Sequence, residues 1–200
     1  MLLLSILISI SPAKAAFTSL VLPGSGDLML GEKKRASLFL GTEAAIWTSY
    51  FGFRWYEGKM HNSSLNYASL YASANVLRKD DRYFNAMENF FSSEAYNEWL
   101  KEQARIFYPD TTDPEILELR RKYIEANSYT GDDAWEWESI EALKKYDDLR
   151  DNKRGFASKA TNMIGIAVAN RLISFFVTYL AGERVSVQIK ENGVQLGIRF

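Results

Sequence analysis

Two apolar segments of helical length, each with one charged residue near its centre, constrain the fold of this chain more than any other feature. The first segment is Ala36–Phe53, which contains Glu43. The second is Ala160–Ala181, in which Arg171 is the one charged residue. Each segment is close to the roughly 20 residues that an α-helix needs to cross a bilayer. A lone charge at the centre of such a helix costs about 3 kcal/mol on insertion scales, so we expect each charge to find a partner.

The positions of the two charges predict that they are partners of each other. The midpoint of the first segment falls between Ala44 and Ala45, close to Glu43, and that of the second falls between Asn170 and Arg171. Antiparallel helices over about residues 34–56 and 157–181 therefore place the two charges at nearly the same depth. We predict a buried ion pair between Glu43 and Arg171 that fixes the register of the helices, with Asn170 as an additional donor. The alternatives are that each charge reaches water or another group, or that Glu43 relays protons.

Small residues at intervals of four predict how the two helices pack. The first helix has such a stripe at Ser37, Gly41, Ala45 and Ser49, and the second has Gly165 and Ala169. Stripes of this kind let helix backbones approach closely in membranes. We expect them to face the partner helix, although core helices of a soluble protein are the alternative.

The N-terminus has the parts of a secretory signal peptide. A ten-residue apolar run, too short to span a bilayer, is followed by Pro12 and by an Ala-Lys-Ala-Ala sequence that ends at Ala16. This pattern predicts a signal peptide over residues 1–15 and a single domain over residues 16–200. The alternative is an uncleaved anchor from Met1 to Leu22. Export would place the protein in the bacterial cell envelope, and the pattern does not distinguish the inner from the outer membrane.

A proline-glycine turn comes next, at Pro23, Gly24 and Gly26. Proline fixes the entry of the chain into such a turn, and the glycines accept positive φ angles. Short apolar segments flank the turn on both sides, so it predicts a sharp reversal between two apolar elements.

This stretch, Leu22–Gly31, resembles the Leu-Pro-Gly-x-Gly-Gln turn of a family of small bacterial membrane proteins of unknown function. Asp27 stands where that family usually has glutamine. Tyr146–Arg150, which precedes the second apolar segment, resembles the family's second block. The resemblance covers about half of the chain and implies one apolar helix after the turn and another near the C-terminus. It implies no catalytic residue, because the family has no known activity.

The region between the apolar helices, residues 62–155, is predicted to be helical. Asp80 or Asp81 and Ser93 can cap helices, and Asp113 followed by Pro114 is a typical helix start. The single histidine, which is followed by Asn62, is expected in a loop or at a helix end. Acidic residues recur in this region, but their spacing matches no calcium loop, so they predict no metal site (Asp110, Asp113 and Glu115; Asp132, Asp133, Glu136 and Glu138).

The C-terminal residues 184–200 change to an alternating apolar pattern. Asn192-Gly193 is a strong hairpin signal. We therefore predict a β-hairpin with strands 184–190 and 194–200, in which Val187 faces Ile198. Its apolar face would dock on helices, on a partner or on a lipid surface.

Composition limits the possible functions. With 24 basic and 25 acidic side chains the net charge is near zero, which argues against a nucleic-acid binder. The absence of cysteine excludes disulfides and thiolate metal sites, and a single histidine excludes His-rich metal sites and most Ser-His triads. We therefore predict no catalytic residue, metal or cofactor.

The predicted fold class is mainly α: a membrane-associated helical bundle with two apolar helices and a C-terminal β-hairpin. We expect an exported protein of the bacterial envelope with a structural, assembly or interaction role. Its partners would be the lipid membrane, itself, or other envelope proteins that contact the apolar helices or the hairpin. The alternatives are a proton-coupled transport component that uses Glu43 and a soluble periplasmic enzyme or binding domain.

Overall fold

The chain is mainly helical over the residues that the structure describes. A computed structural model describes residues 11–77, 80–190 and 193–198, and the side chains of residues 11–77 and 80–183. Its elements are α1 (Pro12–Val21), α2 (Ser25–Met29), α3 (Lys33–Ala72), α4 (Asp81–Asn89), α5 (Ser93–Phe107), α6 (Pro114–Asn127), a 3-10 turn (Gly131–Asp133), α7 (Ile140–Arg184), β1 (Val185–Lys190) and β2 (Gly193–Ile198).

The chain divides into two compact units, and the single domain predicted over residues 16–200 stays a prediction. The terminal unit comprises residues 1–54 and 157–200, and the middle unit comprises residues 55–156. Helices α3 and α7 each contribute residues to both units. The predicted signal peptide stays a prediction, because residues 1–10 lie outside the described residues.

The proline-glycine turn of the terminal unit is held by hydroxyl groups of two helices. Gly24 has a φ of +85°, and its N–H donates to the Ser174 hydroxyl of α7 at 2.8 Å. The N–H of Gly26 donates to the Ser19 hydroxyl of α1 at 3.1 Å. Ser19 is also 3.1 Å from the Thr178 hydroxyl. These hydrogen bonds satisfy buried backbone groups, which would otherwise be costly, and they join α1, the turn and α7.

Gly26 and Gly182 of the terminal unit lie where no side chain fits. A Cβ on Gly26 would be 1.9 Å from the carbonyl oxygen of Ala15, and a Cβ on Gly182 would be 2.6 Å from the Cβ of Pro12. Ala15 itself is fully buried. Helix α1 therefore packs in direct backbone contact with both the turn and α7.

The core of the middle unit is aromatic. Its largest buried side chains include Tyr83, Tyr96, Tyr129, Trp135, Trp137 and Tyr146. An extended segment from Ala134 to Glu138 carries the two tryptophans into this core. The Trp137 indole N–H donates to the Met87 carbonyl at 3.0 Å, so its polar edge is satisfied where water is excluded.

The predicted fold class, a bundle with two apolar helices and a C-terminal β-hairpin, is wrong. The apolar stretches are parts of much longer helices, because α3 spans 40 residues and α7 spans 45. Among the described residues, one helix is long and apolar enough to cross a membrane, Ile140–Glu183, with a mean hydropathy of 1.6 in its most apolar window. Of the two apolar helices that the sequence predicted, one therefore qualifies as a candidate membrane helix. The polar side chains that follow residue 53 do not end α3, because no proline interrupts it.

The predicted C-terminal hairpin is not supported in its register or its turn. The structure pairs β1 with β2 so that Val187 faces Leu196, whereas the alternating pattern predicted Ile198. Gly193 belongs to β2 and not to the turn, and Asn192 lies outside the described residues. The apolar alternation repeats every two residues, so it is equally compatible with a register that is shifted by two.

The predicted packing role of the small-residue stripes is also wrong. A Cβ added at Gly41 or Gly165 would meet no atom within 4 Å. The buried face of the first part of α3 instead carries Ala36, Glu43 and Ile46. A stripe of small residues permits close approach, but it does not by itself decide which face is covered.

The single histidine, His61, lies inside α3 rather than in a loop or at a helix end. Burial lowers the pKa of its imidazole below the usual 6.5, and the nearby Lys153 and Arg150 lower it further; Asp81 and Glu57 act in the opposite direction.

Replacing Gly26 with alanine should destabilise the terminal unit by about 1–3 kcal/mol, because the new methyl group overlaps a backbone oxygen that cannot rotate away. Gly41→Ala is the matched control, since open space surrounds that position. Unfolding in detergent micelles, followed by circular dichroism, measures both variants. Equal midpoints for the two variants would contradict this packing.

The pH dependence of stability should contain a contribution from His61. Its pKa is lower in the folded state than in the unfolded state, so the unfolded chain binds more protons below pH 6.5. The stabilising contribution is therefore present above pH 6.5 and is lost as the pH falls through the folded pKa. Denaturant unfolding between about pH 5 and 8 measures it, and His61→Gln should remove this part of the slope. An unchanged slope in the variant would show that the imidazole is not perturbed.

Candidate functional site

The two charges of the apolar stretches meet inside the terminal unit. The Glu43 side chain lies on the buried face of α3 and is 7 % exposed. Arg171 of α7 approaches it with Nη2 at 2.5 Å from Oε1. The structure therefore brings together the two residues that the sequence predicted to be partners.

Two further donors complete the surroundings of the Glu43 carboxylate. The indole N–H of Trp47, one helical turn further along α3, donates to Oε1 at 2.7 Å. The amide of Asn170 donates to Oε2 at 3.0 Å, as predicted for an additional donor. Arg171 also donates to the Ala167 carbonyl at 3.1 Å. Both carboxylate oxygens thus accept hydrogen bonds, and the guanidinium has a second acceptor. We call Glu43, Trp47, Asn170 and Arg171 the Glu43 network.

The spacing of these residues explains why so small a set can satisfy a buried charge. Residues four apart on a helix share a face, which places Trp47 above Glu43. Asn170 and Arg171 are adjacent, so they reach the carboxylate from different directions, with Asn170 buried and Arg171 about a quarter exposed. Charge-assisted hydrogen bonds of this kind are the strong ones, and they offset the desolvation cost of the carboxylate.

A second buried ion pair in the terminal unit was not predicted from the sequence. Asp27 is fully buried and lies 2.9 Å from Nη2 of Arg35. The relevant signal was present, because Asp27 stands among apolar residues just before a basic cluster at residues 33–35.

The outer surface of the terminal unit is apolar, and its interior is small and polar. Its buried side chains include Ser19, Asp27, Glu43, Asn170, Ser174 and Thr178. Its large exposed side chains include Phe17, Leu38, Phe51, Val168, Leu172, Ile173, Phe176 and Leu180. This arrangement is the reverse of the usual one in water, where large apolar residues are buried and polar residues are exposed.

The middle unit contains a separate buried ion cluster. Glu88, which is 9 % exposed, pairs with Arg150 at 3.0 Å and with Arg154 at 2.7 Å. Arg150 also donates to the side-chain oxygen of Asn85 at 2.5 Å. Through these ion pairs the cluster joins α4 to α7 within the middle unit.

The acidic residues of the middle unit serve mainly as caps and surface ion pairs. Asp113 caps α6 by accepting from the N–H of Glu115, and Asp110 pairs with Arg120. Arg120 helps to hold the pKa of the Asp110 carboxyl below its usual value. Within the described residues, no group of three or more histidine, aspartate or glutamate side chains could hold a metal ion.

Comparison with family models, with curated proteins and with solved structures found no match to this chain. The resemblance of the Leu22–Gly31 stretch to a bacterial membrane-protein family therefore stays a prediction. The Glu43 network and the surface of the terminal unit provide the basis for a functional proposal.

A double-mutant cycle should detect coupling between Glu43 and Arg171. Glu43→Gln leaves the partly exposed Arg171 guanidinium without its counter-charge. Arg171→Gln leaves the buried carboxylate unpaired, at a cost of about 3 kcal/mol. The double variant should cost less than the sum by about 1–3 kcal/mol, measured as free energies of unfolding in detergent micelles. Glu43→Gln combined with Lys33→Gln is the control and should be additive. Additivity in both cycles would exclude a coupled pair.

Proposed function

We propose that this protein is a structural or interaction component of the bacterial cell envelope that is held in the membrane by its terminal unit. The observation that carries the proposal is the reversed polarity of that unit. Exposed apolar side chains in this number are unfavourable in water and are typical of a membrane or a partner interface. Lipid tails solvate such side chains, while polar groups pair in the interior.

The burial of the candidate membrane helix supports lipid contact over the alternative of a soluble domain. Only 22 % of the most apolar window of Ile140–Glu183 is buried within the protein. A core helix of a soluble protein would have most of that window covered. The apolar residues of α7 therefore need an environment outside the protein, and the lipid membrane is the partner that we propose for them.

The geometry of the Glu43 network favours a structural role over proton-coupled transport. Both oxygens of the carboxylate accept hydrogen bonds, and Arg171 provides the opposite charge. A proton carrier would need to break this ion pair in each cycle and leave a guanidinium unpaired, which is costly in an apolar environment. We therefore assign Glu43 to fixing the register between α3 and α7.

The N-terminal sequence supports the envelope as the location. Its apolar run followed by an Ala-Lys-Ala-Ala sequence is typical of exported bacterial proteins, and the resembled family is also bacterial and membrane-bound. With no catalytic constellation predicted, an assembly or interaction role is the one that we propose.

Single cysteines should report which positions face lipid, because the natural chain contains none. We expect Leu172→Cys and Phe176→Cys to resist a charged, water-soluble maleimide in isolated membrane fragments. A thiol in lipid stays protonated and does not meet the reagent. Glu102→Cys, on the exposed surface of the middle unit, is the matched control and should be labelled readily. After denaturation in detergent, all three positions should react.

Alkaline carbonate extraction of the same membranes gives an independent measurement, in which the protein should remain in the pellet. Rapid labelling at Leu172 in intact membranes, together with release by carbonate, would exclude the proposal and favour the soluble alternative.

A further inference from the structure

A groove between α4, α5 and α6 lies wholly within the middle unit and has no part in the proposal above. Its volume is about 400 Å³, which falls within the range of about 300–1,000 Å³ that is usual for small-molecule sites. Of the described residues that line the groove, none is an aspartate, a glutamate, a lysine or a histidine. The side chains that concern a ligand are Arg82, Phe90, Tyr96, Trp99, Leu100 and Tyr123. The groove therefore combines aromatic walls with a single cationic group.

Three of the aromatic side chains contact one another. The ring centroids of Phe90 and Trp99 are 5.4 Å apart, and those of Tyr96 are 5.3 Å from Phe90 and 5.6 Å from Trp99. Tyr96 belongs to the aromatic core and is 4 % exposed, whereas Trp99 is 45 % exposed. The core thus fixes one side of this group and leaves much of the indole uncovered. A ligand ring that covers Trp99 removes this area from water, and aromatic pairs gain stability beyond the burial itself.

Arg82 differs from the other described arginines of the middle unit in its partners. Those others each pair with a carboxylate, namely Arg105, Arg120, Arg121, Arg150 and Arg154. Among the side chains that the structure describes, no carboxylate pairs with Arg82. Guanidinium groups bind carboxylates through two parallel hydrogen bonds. Arg82 therefore brings to the groove a positive charge that suits an anionic ligand.

Two neutral groups hold the Arg82 side chain in position. Its Nη1 donates to the side-chain oxygen of Asn127, and its Nη2 donates to the Tyr96 hydroxyl at 3.3 Å. A guanidinium has more N–H donors than these two bonds use, and a tyrosine hydroxyl that accepts one hydrogen bond can still donate its own hydrogen. The position of the cation is therefore set before a ligand binds, while donors for a carboxylate remain.

The combination of rings and one cation distinguishes the class of ligand. An aliphatic anion would pair with Arg82 but would gain nothing from the aromatic contacts. A neutral aromatic molecule would cover Trp99 but would leave the charge of Arg82 unused. A planar aromatic ring that carries a carboxylate uses both features. Its span is set by Tyr96, whose hydroxyl contacts Arg82 and whose ring contacts Trp99.

We propose that this groove binds a small aromatic carboxylate. The carboxylate pairs with the Arg82 guanidinium and accepts a hydrogen bond from the Tyr96 hydroxyl. The ring packs against Trp99 and Phe90, with Leu100 as the apolar floor. Such a ligand spans about the length of one tyrosine side chain between its carboxylate and its ring.

Isothermal titration calorimetry with the full-length protein in micelles of a neutral detergent tests the proposal. The probe is cinnamate, a planar aromatic carboxylate of about the required length. The matched ligand is cinnamamide, which has the same ring and no charge. We expect cinnamate to bind at least about tenfold more tightly than cinnamamide, because hydrogen bonds between charged groups are stronger than those to a neutral amide.

Protein variants separate the groove from general attraction between opposite charges. Arg82→Gln should weaken binding of cinnamate by about tenfold and change binding of cinnamamide by less than about twofold. Trp99→Leu should weaken binding of both ligands by about threefold, because both contain the ring. Arg105→Gln removes the same charge from an exposed position outside the groove and should change binding of cinnamate by less than about twofold. The micelles take up ligand equally for every variant, so they do not affect these ratios.

Four results would overturn the proposal. These are no saturable binding of cinnamate up to about 1 mM, equal affinity for cinnamate and cinnamamide, equal weakening by Arg82→Gln and Arg105→Gln, and binding of decanoate as tight as that of cinnamate. Decanoate has the charge without the ring, so the last result would exclude recognition of an aromatic acid. Circular dichroism of each variant verifies that the middle unit is folded.

Discussion

A buried carboxylate in helix α3 is the constraint on which the arrangement of the terminal unit depends. Glu43 can be accommodated only if donors reach it, and α3 supplies one of these through Trp47. The others must come from another element, and α7 brings Asn170 and Arg171 to the same depth. A shift of either helix by one residue would rotate these groups by about 100° and leave a charge unpaired. The network therefore specifies one register, even where it adds little net stability.

The proline-glycine turn fixes the position of α1 in a similar way, through polar contacts. Two apolar surfaces can slide past each other at little cost. Hydrogen bonds and close backbone contacts, in contrast, are lost when the helices shift. Ser19, Ser174 and Thr178 hold the turn through its N–H groups and one another. Gly26 allows the carbonyl of Ala15 to approach so closely that no side chain fits. Small and polar residues thus determine the packing, while the large apolar residues cover the outside.

The sequence predicted this site better than it predicted the fold that carries it. The Glu43–Arg171 contact could be predicted because an unpaired charge in an apolar segment is costly, and depth can be counted directly along a helix. The lengths of α3 and α7 could not be predicted in this way, because hydropathy marks the end of an apolar stretch and not the end of a helix. The stripe that contains Gly41 was wrongly predicted to face the partner helix. Small residues permit close contact but do not require it. The strand register failed because a pattern with a period of two cannot distinguish shifts by two.

In the middle unit, the Ala134–Glu138 segment has two roles. Its tryptophans lie in the aromatic core with their indole N–H groups bonded to carbonyls of Phe90 and Met87. This anchoring fixes the backbone, and the glutamates between the tryptophans must then point outward. The spacing of Glu136 and Glu138 is therefore set by the core of the middle unit.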